Sequence, residues 1–177
     1  DLTRLWFVIG DVAGKGMAAA LMMAMAQTLF RATAGLGRPI EEVMAHLNRD
    51  LARDNDRVMF VTALGGCLNL ETGLLHLVNA GHNLAYRVRR DGSFDLVRAA
   101  NGVALGVVED AGFPVTTTAL EPGEALLAYT DGVCDAVNPS GAAFGTAGLE
   151  RHLATVGRLS ADAVVAMSAG SSNCGWM

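Results

Sequence analysis

Two aspartates follow, after one intervening residue, apolar stretches that are typical of buried β-strands, and they are the side chains best suited to chemistry. Asp11 comes after residues 5–9 and Asp131 after residues 125–129. A carboxylate at the tip of a buried strand loses hydration unless it is paired or binds a metal. Mg²⁺ and Mn²⁺ take carboxylates, backbone carbonyls and water as ligands. The two acids therefore predict a divalent cation site, and the alternative is that each one caps a turn.

The glycine-rich turn Gly14-Lys15-Gly16 has three interpretations. It is not a phosphate-binding P-loop, because its spacing from Gly10 is too short and Gly16 stands where Ser or Thr is needed. Gly14, Gly16 and Ala19 fit the loose dinucleotide fingerprint of an oxidoreductase, although a second amphipathic helix follows where a parallel strand is expected. In the third interpretation the glycines let the backbone turn tightly and start a helix.

The histidines and cysteines give weaker signals. His82 lies between two strands, and this setting favours a hydrogen-bonded turn residue over a base or metal ligand. The cysteines are far apart, odd in number and contain no Cys-x-x-Cys pair: Cys67, Cys134 and Cys174. This pattern predicts buried thiols in a reducing cytoplasm and argues against a disulfide framework or a zinc ribbon.

The composition limits the class of protein. With 177 residues the chain is long enough for a single domain over 1–177. Hydrophobic types make up 51% and charged types 18%, which excludes intrinsic disorder. A net charge of −5 argues against non-specific nucleic-acid binding. The longest apolar stretch is too short to span a membrane, and the abrupt start and irregular end predict a fragment of a longer chain, truncated at both termini.

The periodicity predicts segregated strands and helices. Strands are expected at residues 5–9, 58–70, 74–78, 84–88, 94–97, 113–120 and 125–129, and helices at 17–31, 40–51, 146–155 and 160–167. The first helix is apolar nearly all round, so we expect it to be largely buried. Its methionines favour core packing, with an adaptable partner surface as the alternative. The element order indicates an α+β fold rather than alternating βαβ units.

Short motifs follow one another in an order that resembles a known family. They are Gly10-Asp11-Val12-Ala13-Gly14-Lys15-Gly16, Ala18-Ala19-Ala20-Leu21-Met22-Met23, Leu47-Asn48, Phe60-Val61-Thr62, Asn79-Ala80-Gly81-His82, Leu105-Gly106, Pro122-Gly123-Glu124, Tyr129-Thr130-Asp131-Gly132-Val133 and Phe144-Gly145. Over about residues 5–155, this ordered set resembles the SpoIIE/RsbU-type metal-dependent protein phosphatases of the PPM superfamily, which are related to protein phosphatase 2C.

The resemblance implies a four-layer αββα sandwich with a dinuclear Mn²⁺ or Mg²⁺ centre between the sheets. Asp11 would be the bridging metal ligand, Val12 would offer its backbone carbonyl, and Asp131 would be a second carboxylate ligand. The two ions would generate a hydroxide that attacks phosphorus. The implied activity is hydrolysis of phosphoserine or phosphothreonine on a regulatory protein, such as a STAS-type anti-sigma-factor antagonist, in cytoplasmic signal transduction. The resemblance also implies an upstream sensor domain and allows a homodimer.

The sequence departs from the family pattern at three places. The Gly-Gly-Asp-Phe-Tyr-type segment that precedes the first strand is missing, and so is the terminal Asp-Asp-x-Thr segment that supplies another metal carboxylate. Asp135 stands where the family commonly has Glu. The alternative to an active enzyme is therefore a catalytically impaired pseudophosphatase that binds a partner.

Overall fold

The computed structural model describes residues 3–53, 55 and 59–156. In chain order the elements are β1 Arg4–Val12, α1 Met17–Ala34, α2 Ile40–Ala52, β2 Val61–Asn69, β3 Leu74–Ala80, β4 Tyr86–Val88, β5 Phe94–Leu96, β6 Asn101–Gly102, β7 Val115–Ala119, β8 Ala125–Leu127, α3 Asp131–Cys134 and α4 Gly145–Val156. The chain divides into two compact units, Asp1–Leu84 with Arg98–Leu120, and Ala85–Val97 with Glu121–Met177.

The first unit is built on a sheet in which β1, β2, β3 and β7 pair antiparallel in that order, while β6 pairs parallel with the end of β3. Side chains alternate between the two faces of each strand. Trp6 and Val8 pack against the helical core, and a Cβ at Gly65 would meet Met44 of α2 at 2.7 Å. Both helices therefore cover this face.

The helix α2 forms where the periodicity predicts because its apolar residues are buried together in the core of the first unit. Ile40, Val43, Met44, Leu47 and Leu51 recur at helical spacing and are all at most 3% exposed. Pro39 precedes the first turn, and Glu41 and Glu42 in that turn suit the positive end of the helix dipole.

The second unit has a three-stranded antiparallel sheet in the order β5–β4–β8. The sheet packs with α3 and α4 around a small aromatic and aliphatic core that contains Tyr86, Tyr129, Leu149 and Leu153. Tyr86 and Tyr129 stack with centroids 6.1 Å apart. Each unit thus combines one sheet with helices, and the α+β prediction is confirmed.

Several local predictions were confirmed and others were wrong. The nine-residue β1 and the helices α1, α2 and α4 form where they were expected. The two-residue strand β6 was missed. The helix expected at 160–167 lies outside the described residues. The dinucleotide interpretation was wrong, because β2 pairs antiparallel with β1, whereas that fold needs a parallel strand.

The prediction that α1 is largely buried was wrong for its outer face. Met22 is only 9% exposed and packs in the core, whereas Met17 is 77% and Met25 is 53% exposed. A helix that is apolar all round gives no periodic signal of which side meets the sheet. In the part of the chain that the structure describes, no helix has both the length and the apolar character that crossing a bilayer requires.

Candidate functional site

Asp11 lies near the end of β1, on the face of the sheet opposite the helices. It pairs across the ladder with Thr62 of β2. Gly10 precedes it, and a Cβ at that position would lie 2.7 Å from the carbonyl oxygen of Thr62. A glycine therefore lets β1 and β2 approach closely beside the carboxylate. The following residue, Val12, is buried at 8% exposure.

Neither Asp11 nor Asp131 is desolvated, contrary to the prediction from the sequence. The carboxylates of Asp11 and Asp131 are both exposed, so burial costs neither of them its hydration. Within its own unit, the structure records no hydrogen bond or ion pair from either carboxylate to a described residue. Both carboxylates therefore have oxygens that no described residue of the same unit binds. A cation site is supported because these oxygens are available, and not because the carboxylates are desolvated.

Thr62 connects the Asp11 strand to a buried histidine. The Thr62 hydroxyl lies 3.0 Å from Nδ1 of His82 and 3.4 Å from the backbone oxygen of Asp11. His82 is 7% exposed. The expectation that His82 is a hydrogen-bonded turn residue is confirmed, and the structure adds its contact with the residue paired to Asp11. Thr62 was not predicted to be a site residue, although it belongs to the Phe60-Val61-Thr62 motif.

The turn that carries His82 is closed by the fully buried side chain of Asn79. Its Oδ1 accepts a hydrogen bond of 2.7 Å from the His82 backbone N–H, and its Nδ2 donates one of 2.9 Å to the His82 carbonyl oxygen. Gly81 between them has a φ of 71°, a left-handed conformation that favours glycine. The Asn79-to-His82 motif is therefore a self-contained turn that fixes the position of the imidazole.

A second buried asparagine, Asn48 of α2, holds the loop that follows β6. Its Nδ2 donates to the carbonyl oxygens of Val108 and Glu109, both at 2.8 Å, and its Oδ1 accepts from the Gly106 N–H at 2.9 Å. Leu105 exchanges two backbone hydrogen bonds with Val61 at the start of β2. The motifs containing Asn48, Leu105 and Gly106 thus belong to one network beside the Asp11 end of the sheet.

The turn after β1 confirms the structural interpretation of its glycines. Gly14 has a φ of 133° and Gly16 a φ of 82°, both in the region that L-residues with side chains rarely adopt. The backbone of Ala13 still donates to Phe60 at 2.9 Å, so the β1–β2 pairing extends just beyond Val12. The chain then turns sharply into α1.

Asp131 belongs to the second unit, where it is the first residue of the short helix α3. Thr130 before it is extended, and the Asp131 carbonyl accepts a hydrogen bond of 2.8 Å from the Asp135 N–H. Burial first, and then the charges of Asp135 and Asp131, raise the pKa of the Cys134 thiol. The predicted burial of the cysteines is confirmed for Cys67, while Cys134 is half-buried and Cys174 lies outside the described residues.

The donor chemistry at the end of β1 fits a hard divalent cation. Asp11 supplies a carboxylate and Val12 a backbone carbonyl, which are oxygen ligands of the kind that Mg²⁺ and Mn²⁺ prefer. Over residues 3–53, 55 and 59–156, no three His, Cys, Asp or Glu side chains form a group that could hold a metal ion. The structure leaves untested the expected roles of Asp11, Val12 and Asp131 as ligands.

Comparisons with known proteins agree with the motif order. The family model described as Stage II sporulation protein E (SpoIIE) matches residues 1–169. Protein IcfG of Synechocystis is 27% identical over 168 residues, covering 80% of this chain and 26% of that protein. Phosphoserine phosphatase RsbU of Bacillus subtilis is 30% identical over 143 residues, covering 80% of this chain and 42% of that protein. The chain thus spans less than half the length of these relatives.

Solved structures share the fold. The RsbU and RsbW domains of Rv1364c from Mycobacterium tuberculosis superpose with a TM-score of 0.78 at 25% identity, over 96% of this chain and 46% of that one. The PP2C phosphatase domain of SpoIIE from Bacillus subtilis gives a TM-score of 0.76 at 17% identity, over 97% of this chain and 51% of that one. The α+β architecture is therefore that of PPM phosphatase domains.

Proposed function

Because this chain belongs to the SpoIIE family, we propose that it is the phosphatase domain of a metal-dependent protein phosphatase. Its reaction is the hydrolysis of phosphoserine or phosphothreonine on a regulatory protein. The observation that carries the proposal is the available Asp11 carboxylate at the end of β1, inside a family match that covers nearly the whole chain. The relative named phosphoserine phosphatase RsbU supports the substrate class.

Asp11 and Asp131 are the carboxylates that hold two Mn²⁺ or Mg²⁺ ions in this proposal, together with the Val12 carbonyl. When bound, such ions supply a nucleophilic hydroxide and neutralise the phosphoryl oxygens. The chain's own contribution is to hold the carboxylate oxygens in place. Gly10 allows the close strand pairing, and Asp11 stands on a nine-residue strand paired along its whole length, which is more rigid than a loop.

The proposed setting is cytoplasmic signalling that controls a sigma factor. An anti-sigma-factor antagonist of the STAS type is the proposed substrate, and an upstream sensor domain and a second copy of the chain are the proposed regulatory partners. The similarity to a solved structure of the RsbU and RsbW domains of one protein supports this proposal.

The test is Mn²⁺-dependent release of phosphate from a phosphoserine peptide. We expect Asp11→Asn and Asp131→Asn each to lower the rate at least about 100-fold, because metal ions provide several kcal/mol of charge stabilisation in the transition state. Asp110→Asn is the matched control, since Asp110 is exposed and has no proposed role. Unchanged rates in both ligand variants, or a rate independent of the metal, would refute the proposal.

The second candidate is a partner-binding pseudophosphatase, favoured by Asp135, which stands where the family commonly has Glu. It predicts no phosphate release and no heat on calorimetric titration with Mn²⁺, while binding of a STAS-type protein is retained. Metal binding with turnover would exclude this candidate.

A further inference from the structure

Thr62 pairs with Asp11 across the ladder and His82 contacts Thr62, and neither belongs to the proposed ligand set. We propose that they are positioning residues for Asp11. His82 donates a hydrogen bond from Nδ1 to the Thr62 hydroxyl, and the hydroxyl hydrogen is then directed at Asp11. The link to catalysis rests on the proposed function, in which Asp11 holds a cation.

The direction of the hydrogen bonds follows from counting hydrogens. The Thr62 hydroxyl has one hydrogen but two neighbours, Nδ1 of His82 at 3.0 Å and the Asp11 carbonyl oxygen at 3.4 Å. A carbonyl oxygen can only accept, so the hydroxyl must donate its hydrogen to make that contact. Its oxygen then accepts from His82, and this requires the hydrogen of the imidazole to be on Nδ1.

The histidine is held independently of its ring. Both hydrogen bonds from Asn79 go to the backbone of His82, at 2.7 and 2.9 Å. The turn therefore keeps its shape when the ring changes, while the ring and Thr62 lose their contact. This separation makes the ring-to-hydroxyl contact testable without opening the turn.

Residues that orient a metal ligand commonly change metal affinity when they are removed. Loss of such an outer contact typically costs about 10- to 100-fold in affinity or activity. We expect a loss of this size for Mn²⁺ when Thr62 is replaced by valine, which has the same shape but no hydroxyl. Thr62→Ser keeps the hydroxyl, so it should restore binding to within about threefold of the wild-type chain.

The sheet contains a matched control at a different position. Thr117 of β7 contacts Nδ1 of His76 at 3.1 Å, the same pair of groups as Thr62 and His82. Thr117→Val removes that contact far along the sheet from the Asp11–Thr62 pair. Calorimetric titration of the 177-residue chain with Mn²⁺ should show weaker binding for Thr62→Val and His82→Leu, and unchanged binding for Thr117→Val.

A second readout needs no metal. In ¹⁵N spectra of the imidazoles, His82 should carry its hydrogen on Nδ1, and Thr62→Val should shift both this nitrogen and the Asp11 carbonyl ¹³C. An unprotonated Nδ1 on His82 would overturn the positioning role of Thr62 and His82. Equal Mn²⁺ affinity in the wild-type chain and in Thr62→Val would also overturn it, and so would the absence of Mn²⁺ binding by either. If the wild-type chain binds Mn²⁺ but releases no phosphate, the proposed function fails while the positioning role is still judged by affinity.

Discussion

Replacing Asn48 with alanine is expected to destabilise the first unit strongly. Asn48 is 0% exposed, and its amide makes three hydrogen bonds to the backbone of the loop at Gly106, Val108 and Glu109. Each bond contributes about 1 kcal/mol net, and the backbone groups left behind lose their partners in the interior. The free energy of unfolding should therefore fall by about 3 kcal/mol.

Urea denaturation followed by circular dichroism measures this loss. The matched control is Asn69→Ala in the same unit, because Asn69 accepts hydrogen bonds of 2.9 and 3.0 Å from the Glu71 and Thr72 N–H groups in an exposed turn. Water can replace an exposed partner, so this control should cost less than about 1 kcal/mol. If Asn48→Ala costs no more than Asn69→Ala, burial does not set the strength of the network and the reasoning is wrong.

Further substitutions test packing and electrostatics. Gly66→Ala should cost about 1–3 kcal/mol in urea denaturation, because its Cβ would overlap the Phe7 ring. Met22→Ala should cost about 2–5 kcal/mol, whereas Met25→Gln on the exposed face of α1 should stay within about 0.5 kcal/mol; equal costs would contradict the burial pattern. Burial, followed by a hydrogen bond to a glutamate, raises the pKa of Tyr86 above its usual 10.0. Because the pKa of Tyr86 is higher in the folded chain than in the unfolded one, its stabilising contribution is fully present below about pH 10 and is lost as the pH rises further. The free energy of unfolding should therefore fall from about pH 10 upward, and less so in Tyr86→Phe.

The sequence predicts elements well where one periodicity dominates. The α2 stripe from Ile40 to Leu51 and the uninterrupted apolar run of β1 have a single explanation each, and both elements form where they were expected. The expected burial of the β1 run was wrong, because residues 5–9 are half-buried or exposed. The prediction that α1 is largely buried was wrong because its residues are apolar on every side, so their types do not distinguish Met22 in the core from Met25 at the surface. The strand β6 has two residues, too few for any periodicity.

The candidate site was predictable from the sequence only in part. Asp11 was found because an acid after an apolar strand is unusual, but its exposure could not be read from the sequence and the desolvation argument was wrong. Thr62 was missed because its importance comes from pairing with Asp11, and strand register depends on residues far apart in the chain. His82 was correctly expected to be a turn residue, but nothing near it in the sequence predicted its contact with Thr62.

The asparagines explain why such short motifs form a recognisable order. Asn48 and Asn79 bind backbone atoms, and so does Asn55, whose Nδ2 donates to the Met59 and Gly106 carbonyl oxygens at 2.6 and 3.1 Å. Every residue offers the same backbone carbonyl, so the partner of such an asparagine can be of any residue type. The residue type is therefore constrained at the asparagine itself and at glycines with positive φ, such as Gly106, but much less at the positions between them. Short motifs separated by variable stretches are the expected result. Because these side chains fix the loops at the Asp11 end of the sheet, the same motifs that indicate the family also hold the surroundings of its proposed metal ligand.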